Sequence, residues 1–366
     1  MVLLLHETLI IIMIRMKWKN HSPFSCNLLT GDSSQMKNTK LLRRMYEDRK
    51  FFVSAGVNNA LEARIGEAAG YAAVGMSGAG TAAMCGYPDA GITTLTEVVN
   101  NTRYIVNSVS VPVQVDGETG FGNIHSVRRT VREVISAGAS SLIFEDQAEL
   151  RRCGFIAGKR VLPLEDALGK YRAAVDVRNE MDPDFVLIAR CDARGAAGGS
   201  LDDAIRRGKA YRKAGMDVIY YEAFQSMDEI RTAIAEVGAP IYFTFGAIPL
   251  EERPSHEEMA KMGIANAHYW LLRPLRNFPV DRLMWEILHD VRERGGPAMA
   301  DWNKWAESFP WKYGEPPHFH DFMGFAQIRE VEKKYLPAEE QDKYENSIGL
   351  YTPGQDPTVK KKVEWR

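Results

Sequence analysis

The chain has little cysteine. Cys26, Cys85, Cys153 and Cys191 are the four such residues in 366, and none of them form a C-x-x-C pair. This excludes a disulfide framework and a paired-cysteine zinc site, and it points to a reducing, cytoplasmic setting. An excess of one charge is also missing: 46 Lys and Arg stand against 48 Asp and Glu, so no overall basic field exists to collect nucleic acid. Long apolar runs are absent too. The most apolar stretch, Leu3–Ile14, is broken by His6, Glu7 and Thr8 and falls short of the roughly 20 residues that span a bilayer. Arg15, Lys17 and Lys19 follow that stretch, whereas a secretory signal carries its positive charge ahead of it. Neither membrane nor export is favoured. His21 to Lys40 shows no periodicity, so residues 1–40 read as an N-terminal extension, with residues 1–35 a disordered arm or an upstream addition to the reading frame.

From Phe51 onward, short apolar runs alternate with amphipathic segments. Strands are expected at Phe52–Ala55, Ala72–Met76, Val113–Asp116, Ser141–Glu145, Phe185–Arg190, Val218–Glu222, Ile241–Phe243 and Ala267–Leu271. Helical patterns cover Leu95–Ser108, His125–Ala137, Leu164–Met181, Leu201–Ala214, Ser226–Val237 and Pro279–Arg294. Gly138, Gly215 and Gly238 each fall between a helix and the next strand, where a left-handed cap is wanted. A strand and crossover helix repeated about eight times favours a closed (β/α)8 barrel of the α/β class over an open doubly wound sheet. No G-x-G-x-x-G follows the first strand, which weakens a dinucleotide fold further. The expected division is an extension at 1–40, a catalytic barrel at 41–296 and a C-terminal helical, aromatic extension at 297–366. That last part carries Trp302, Trp305, Trp311, Pro316 and Pro317, too aromatic for a linker, and Lys360–Arg366 read as a frayed end.

Such a barrel builds its chemistry at the carboxyl ends of its strands. Those ends are acidic here. Asp116 and Glu118 close the third strand, and Glu145 with Asp146 closes the fourth. Converging carboxylates need a cation, and hard oxygen ligands select Mg2+ or Mn2+. Asp116 and Glu145 read as metal ligands, while Asp146 reads equally well as a structural cap. Arg190 closes the fifth strand and can clamp a substrate carboxylate, or pair with a neighbouring acid. Ser77-Gly78-Ala79-Gly80 allows close backbone approach to an anion, a weak signal alone, and Asp89 sits in a turn-rich loop where most aspartates cap turns. Cys153 lies in Arg151-Arg-Cys-Gly-Phe155, within a long loop from Gln147 to Leu162 that reads as a lid. Two adjacent arginines are expected to lower its pKa, although a lone loop cysteine is usually incidental. Cys85 and Cys191 read as packing residues, His125 as a surface residue that begins a helix, and His256, His268, His318 and His320 show no ligand spacing with the acids.

Ser77-Gly78, Gly86-Tyr-Pro-Asp89, Asp116-Gly-Glu-Thr-Gly-Phe-Gly122, Glu145-Asp-Gln147, Arg152-Cys-Gly154 and Ala189-Arg190 together resemble the isocitrate lyase/phosphoenolpyruvate mutase superfamily, in order and spacing, over roughly residues 45–295. The 2-methylisocitrate lyase-like branch is the nearest fit. The resemblance implies a Mg2+ site held by Asp89, Asp116, Glu118 and Glu145, directly or through water. It implies substrate binding by Ser77, Gly78, Ala79, Gly154, Arg190, Glu222 and Thr244, with Cys153, Arg190 and Glu118 catalytic. It also implies an organic-acid substrate and a homo-oligomer, commonly a tetramer. Three departures stand out. Phe155 replaces the usual lid histidine, Glu118 replaces the second Asp of Asp-x-Asp, and Tyr242-Phe-Thr-Phe-Gly246 lacks an Asn and a Glu of the usual stretch. A different or less charged substrate follows. A carbon–carbon lyase acting on a substituted malate-like acid is the leading expectation. A phosphonate-forming mutase, an oxaloacetate-type hydrolase and a non-catalytic metabolite-binding barrel are the alternatives.

Overall fold

The computed structural model describes residues 37–238, 240–270, 279–313 and 317–341. The expected arm at 1–35, Pro316 and the end at Lys360–Arg366 lie outside these. The described residues form two compact units, one holding those up to Trp270 and the other those from Pro279 onward.

The first unit is the expected (β/α)8 barrel. Its strands are β1 (Phe52–Val57), β2 (Ala73–Met76), β3 (Val113–Asp116), β4 (Ser141–Glu145), β5 (Val186–Cys191), β6 (Val218–Tyr221), β7 (Ile241–Phe243) and β8 (Asn266–Trp270). All neighbours pair in parallel, in the order β7-β6-β5-β4-β3-β2-β1-β8. The ring is brought together between β7 and β8, where the amide of Ala265 donates to Ile241 O at 3.0 Å. Strands covered on both faces read as continuous apolar runs, as Leu142-Ile-Phe144 and Val186-Leu-Ile-Ala189 do, and these residues are all buried.

The helices are α1 (Asn38–Glu47), α2 (Ala60–Ala68), α3 (Gly78–Met84), α4 (Leu95–Ser108), α5 (Ile124–Ser136), α6 (Leu164–Met181), α7 (Leu201–Lys213), α8 (Met227–Val237) and α9 (His256–Met262). Helix α1 begins inside the stretch expected to be extension, because Leu42 and Tyr46 on one face are fully buried in the barrel's core. Each such side chain taken from water contributes about 1.5–3 kcal/mol. Side-chain caps start the helices on the strand-end side: Asn59, Ser77, Thr94, Asn123, Ser200, Ser226 and Ser255 each accept an amide of the first turn. Gly138, Gly215 and Gly238 have φ of 87°, 99° and 69°, the left-handed geometry that returns the chain to the next strand.

The second unit contains α10 (Pro279–Arg294), α11 (Gly296–Glu307), α12 (Phe319–Phe322), α13 (Phe325–Tyr335) and α14 (Ala338–Gln341). Asp290 joins α10 to α11 by accepting from Arg294 and from Trp302 Nε1 at 3.0 Å. The aromatic rings form a chain along the unit, Trp302 to Trp305, Trp305 to Phe309, and Phe309 to Trp311. Among the described residues, no helix is long and apolar enough to cross a membrane.

Candidate active site

Strand register assembles the site. Glu145 of β4 pairs with Arg190 of β5, Arg190 with Tyr220 of β6, and Tyr220 with Tyr242 of β7. The four side chains therefore come from one level of the barrel. Tyr220 and Tyr242 stack with centroids 4.4 Å apart, and the Arg190 guanidinium lies 5.7 Å from the Tyr220 ring. Arg190 reaches Glu145 Oε2 at 3.1 Å, Asp192 Oδ2 at 2.9 Å and Glu222 Oε2 at 3.8 Å. Burial opposes its charge, yet Asp192, Glu145 and Glu222 outweigh burial and hold the guanidinium firmly protonated. Glu222 accepts from Tyr220 Oη at 2.9 Å and from Thr244 Oγ1 at 2.8 Å, so both of its oxygens are occupied.

The third strand supplies the second arc. Asp116 Oδ2 accepts the amide of Gly78 at 3.3 Å, and Asp116 Oδ1 accepts the amide of Glu118 at 3.0 Å. Gly78 is required by space, since a Cβ there would stand 2.9 Å from Asp116 Oδ2. The run expected to be an anion-binding turn is the start of helix α3, with the Ser77 hydroxyl spent on capping Gly80 N at 2.9 Å. Glu118 sits at φ 50° and is buried, its Oε1 accepting from Thr93 Oγ1 at 2.5 Å. Burial raises its proton affinity, against the pull of Arg151 and Thr93. A cavity of about 940 Å3 opens beside Glu118 and Arg151, bounded also by Thr93, Gln147 and Lys170.

The lid folds over these acids. Its base is closed by Ala148 N to Arg160 O at 2.8 Å and Leu162 N to Asp146 O at 2.9 Å. Arg151, read from the sequence only as a neighbour of Cys153, is the link that reading missed. Its Nε donates to Glu145 Oε1 at 2.7 Å, and its other end pairs with Asp89. Asp116 and Glu118 add to the field that keeps it charged despite burial. The strand-end acids, read from the sequence as needing a cation, have two arginines beside them, Arg151 and Arg190.

Cys153 departs from expectation. Its thiol is pushed up to about 11, chiefly by burial, with Asp89 adding to it, against the Phe155 amide and a weaker pull from Arg190. The flanking arginines do not lower it because Arg151 is spent on Glu145 and Asp89, while Arg152 turns to the carbonyl of Ala157. At neutral pH Cys153 is a thiol, a proton donor rather than a nucleophile. Its amide donates to Asp89 O at 3.1 Å. A Cβ on Gly154 would lie 2.5 Å from Arg190 Nη2 and 2.9 Å from Glu222 Cδ, so only glycine lets the lid come this close. Phe155 is 47% exposed and packs on the next barrel loop, where a Cβ on Gly246 would meet its ring at 2.2 Å. Asp146 turns away from the others: it accepts from Tyr211 Oη at 2.5 Å and from Asp192 N at 2.9 Å, a structural role. Burial lifts its pKa to about 6.

The described residues hold no ready-made cluster of three acid, histidine or cysteine side chains around an ion position. Donor chemistry nonetheless fits a hard divalent cation, because Asp89, Asp116, Glu118 and Glu145 offer only oxygen. Glu145 Oε2, although ion-paired with Arg190, lacks an aligned hydrogen bond and keeps lone pairs free. The cluster already draws one cation, Arg151, onto two of its members.

Residues 42–269 match the family described as phosphoenolpyruvate phosphomutase. The chain belongs to that family, within the isocitrate lyase/phosphoenolpyruvate mutase superfamily. It is 39% identical over 197 residues to the 2,3-dimethylmalate lyase of Eubacterium barkeri, a match covering 54% of this chain and 67% of that one. It is 41% identical over 214 residues to the 2-methylisocitrate lyase of Escherichia coli K12, covering 56% and 71%. A solved 2,3-dimethylmalate lyase superposes with a TM-score of 0.71 at 29% identity, covering 86% of this chain and 100% of that one. A phosphonopyruvate hydrolase in complex with oxalate and Mg2+ gives 0.69 at 27%, covering 82% and 100%. These relatives put the chain on the 2-methylisocitrate lyase-like branch, and its class is that of a carbon–carbon lyase.

Proposed function

We propose that this protein is a Mg2+-dependent lyase that splits a substituted malate-like 2-hydroxy acid into a keto acid and a second carboxylate. The observation that carries the reading is the placement of Cys153 on the lid beside Asp89, with Gly154 packed on Arg190 and Glu222. Asp89, Asp116, Glu118 and Glu145 would hold the metal, directly or through water, and the metal would polarise the hydroxy-acid end of the substrate and stabilise the negative charge that develops there. Arg190 orients a substrate carboxylate through its planar fork. Glu118, its proton affinity raised by burial, takes the hydroxyl proton. The oxygen lone pair becomes the keto C=O as the carbon–carbon bond breaks. The bonding pair moves onto the departing carboxylate as an enolate, and Cys153 donates its proton to that carbon.

Backbone from Ser77 to Ala79, together with Gly154, lines the anion end, and Glu222 with Thr244 borders the far end. There Phe155 packs on Gly246, an apolar contact that favours a small alkyl group over a further carboxylate. The free thiols of Cys85, Cys153 and Cys191 fit a cytoplasmic enzyme, and the family resemblance supports a homotetramer.

The test is a mass-spectrometric turnover screen with 2-methylisocitrate, isocitrate, dimethylmalate, oxaloacetate and phosphonopyruvate, each with MgCl2 and with EDTA. Expected is EDTA-sensitive release of a keto acid from a malate-like substrate. Phosphoenolpyruvate from phosphonopyruvate, oxalate from oxaloacetate, or no turnover of any compound would overturn the reading. On the substrate found, Cys153→Ser should lower kcat by about 10²–10⁴-fold, the usual worth of a general acid.

A further inference from the structure

Lys159, at the far end of the lid, has no part in the chemistry above and carried no signal in the sequence. Its side chain is 2% exposed. Lysine is almost never buried this deeply unless it is paired, because stripping water from the ammonium costs several kcal/mol. Here the ammonium has two partners. Nζ donates to the carbonyl of Gly154 at 2.5 Å and to Asp192 Oδ1 at 3.2 Å. Asp192 is fully buried and also receives Arg190, Nη2 to Oδ1 at 3.0 Å and Nε to Oδ2 at 2.9 Å. Its amide is fixed on Asp146 at 2.9 Å. A continuous chain of contacts therefore runs from the lid carbonyl beside Cys153, through Lys159 and Asp192, to the guanidinium of Arg190.

Space around the chain is tight at both ends. A Cβ on Gly195 would stand 2.6 Å from Ala223 Cβ and 3.3 Å from Lys159 Nζ, so the ammonium is walled in. The Lys159 carbonyl accepts Ala197 N at 2.8 Å, which anchors its backbone to the loop after β5. Arg190 alone could neutralise Asp192. The shorter bond of the ammonium goes instead to the lid, where a neutral side chain of the same length would have nothing to donate.

We propose that Lys159 is a positioning residue, tying the Cys153–Gly154 segment of the lid to Asp192 and so holding the thiol at a set distance from Arg190. It touches no reacting atom. A misplacement of about 1 Å at such a site costs on the order of 10²-fold in rate. The kinetic side of this proposal rests on the lyase reading, but the lid geometry does not, and the two are tested separately.

The experiment uses the full chain with Lys159→Met, which keeps length and removes charge, and Lys159→Arg, which keeps the charge. Alkylation by iodoacetamide is followed peptide by peptide by mass spectrometry, with Cys85 and Cys191 as the exposed and buried internal references. Lys159→Met should raise the Cys153 rate about tenfold or more relative to Cys85, leaving Cys191 protected, while Lys159→Arg stays within about threefold of wild type. On any substrate from the screen, Lys159→Met should lower kcat at least tenfold with KM changed less, and Lys159→Arg should recover part of that loss. An unchanged Cys153 rate in a folded Lys159→Met protein would overturn the proposal whatever the screen finds. Should Lys159→Met not fold, Asp192→Ala removes the acceptor of Lys159 Nζ and cuts the same chain: Cys153 alkylation should rise at least threefold, and a rate equal to wild type refutes the tie.

Discussion

Two groups of buried polar residues in the barrel are built in opposite ways. At the carboxyl end of the strands, Glu145, Arg190, Asp192, Glu222 and Arg151 form a charged web in which each ion has an opposite partner. Deeper in the barrel, towards the amino end, a second group of buried polar residues is neutral. Tyr46 Oη donates to Gln114 at 2.8 Å, Asn266 Nδ2 donates to Tyr46 at 3.2 Å, and Ser54 bridges Asn266 at 2.9 Å and His268 Nδ1 at 2.7 Å. Neutral groups of this kind hydrogen-bond to one another and specify packing, whereas buried ions cost more to bury and are retained where they have chemistry to perform. The contrast divides the molecule into an end that reacts and an end that holds its shape.

The largest expected effect tests the charged end. Arg190→Ala should lower kcat/KM by about 10³-fold or more and also cost about 3–5 kcal/mol, because Glu145, Asp192 and Glu222 lose their shared cation. Arg190→Lys sharpens the point: urea melts should show much of the stability regained, while turnover stays low for want of a planar fork. Were the lysine variant fully active, the guanidinium would be only a counter-ion.

The next effect belongs to the quiet end. A Cβ on Gly75 would lie 2.1 Å from the His268 ring, so Gly75→Ala should destabilise by about 1–3 kcal/mol in denaturant midpoint, with kcat per folded molecule near wild type. Equal loss of kcat would erase the division between the two ends. The most gradual effect is in pH. Burial lowers His268 from 6.5 to about 3, so the folded chain stays neutral there while the unfolded chain takes up a proton below 6.5. Stability from this site is therefore complete above pH 6.5 and falls as pH drops towards 3, by up to about 1.4 kcal/mol per pH unit. Comparing urea midpoints of wild type and His268→Gln between pH 7 and 5 should show a flatter dependence in the variant. Parallel curves would mean that His268 does not titrate in this way.

The barrel was legible because its strands are buried on both faces: the bounds of β3, β4 and β7 follow directly from the apolar runs that end at Asp116, Glu145 and Phe243. The strand-end acids were legible for a related reason, since an acid terminating such a run stands at the mouth of the barrel. Helix α3 was not, because Gly-Ala-Gly-Thr-Ala-Ala-Met has no amphipathic stripe and depends on the Ser77 cap and on packing around Asn101 and Thr81. The Cys153 pKa misled because adjacency along the chain says nothing about where two arginines point. Arg151 and Lys159 matter through partners 62 and 33 positions away, and no local pattern carries such a separation.

The junction of β7 with β8 has a consequence for how the barrel accommodates different molecules. β1 and β8 share a five-residue ladder and β4 and β5 another, while β7 has a three-residue ladder to β6 and a backbone bond from Ala265 on its other side. The ring is thus most fully paired at β4 and β5, which carry Glu145 and Arg190, and least paired at β7, whose continuation bears Thr244 and the Phe155 rest at Gly246. Substitutions or thermal motion at that joint can widen or narrow the far wall of the pocket without disturbing the acids. A lineage can in this way trade one substituent on its substrate for another while the bond-breaking apparatus stays in register.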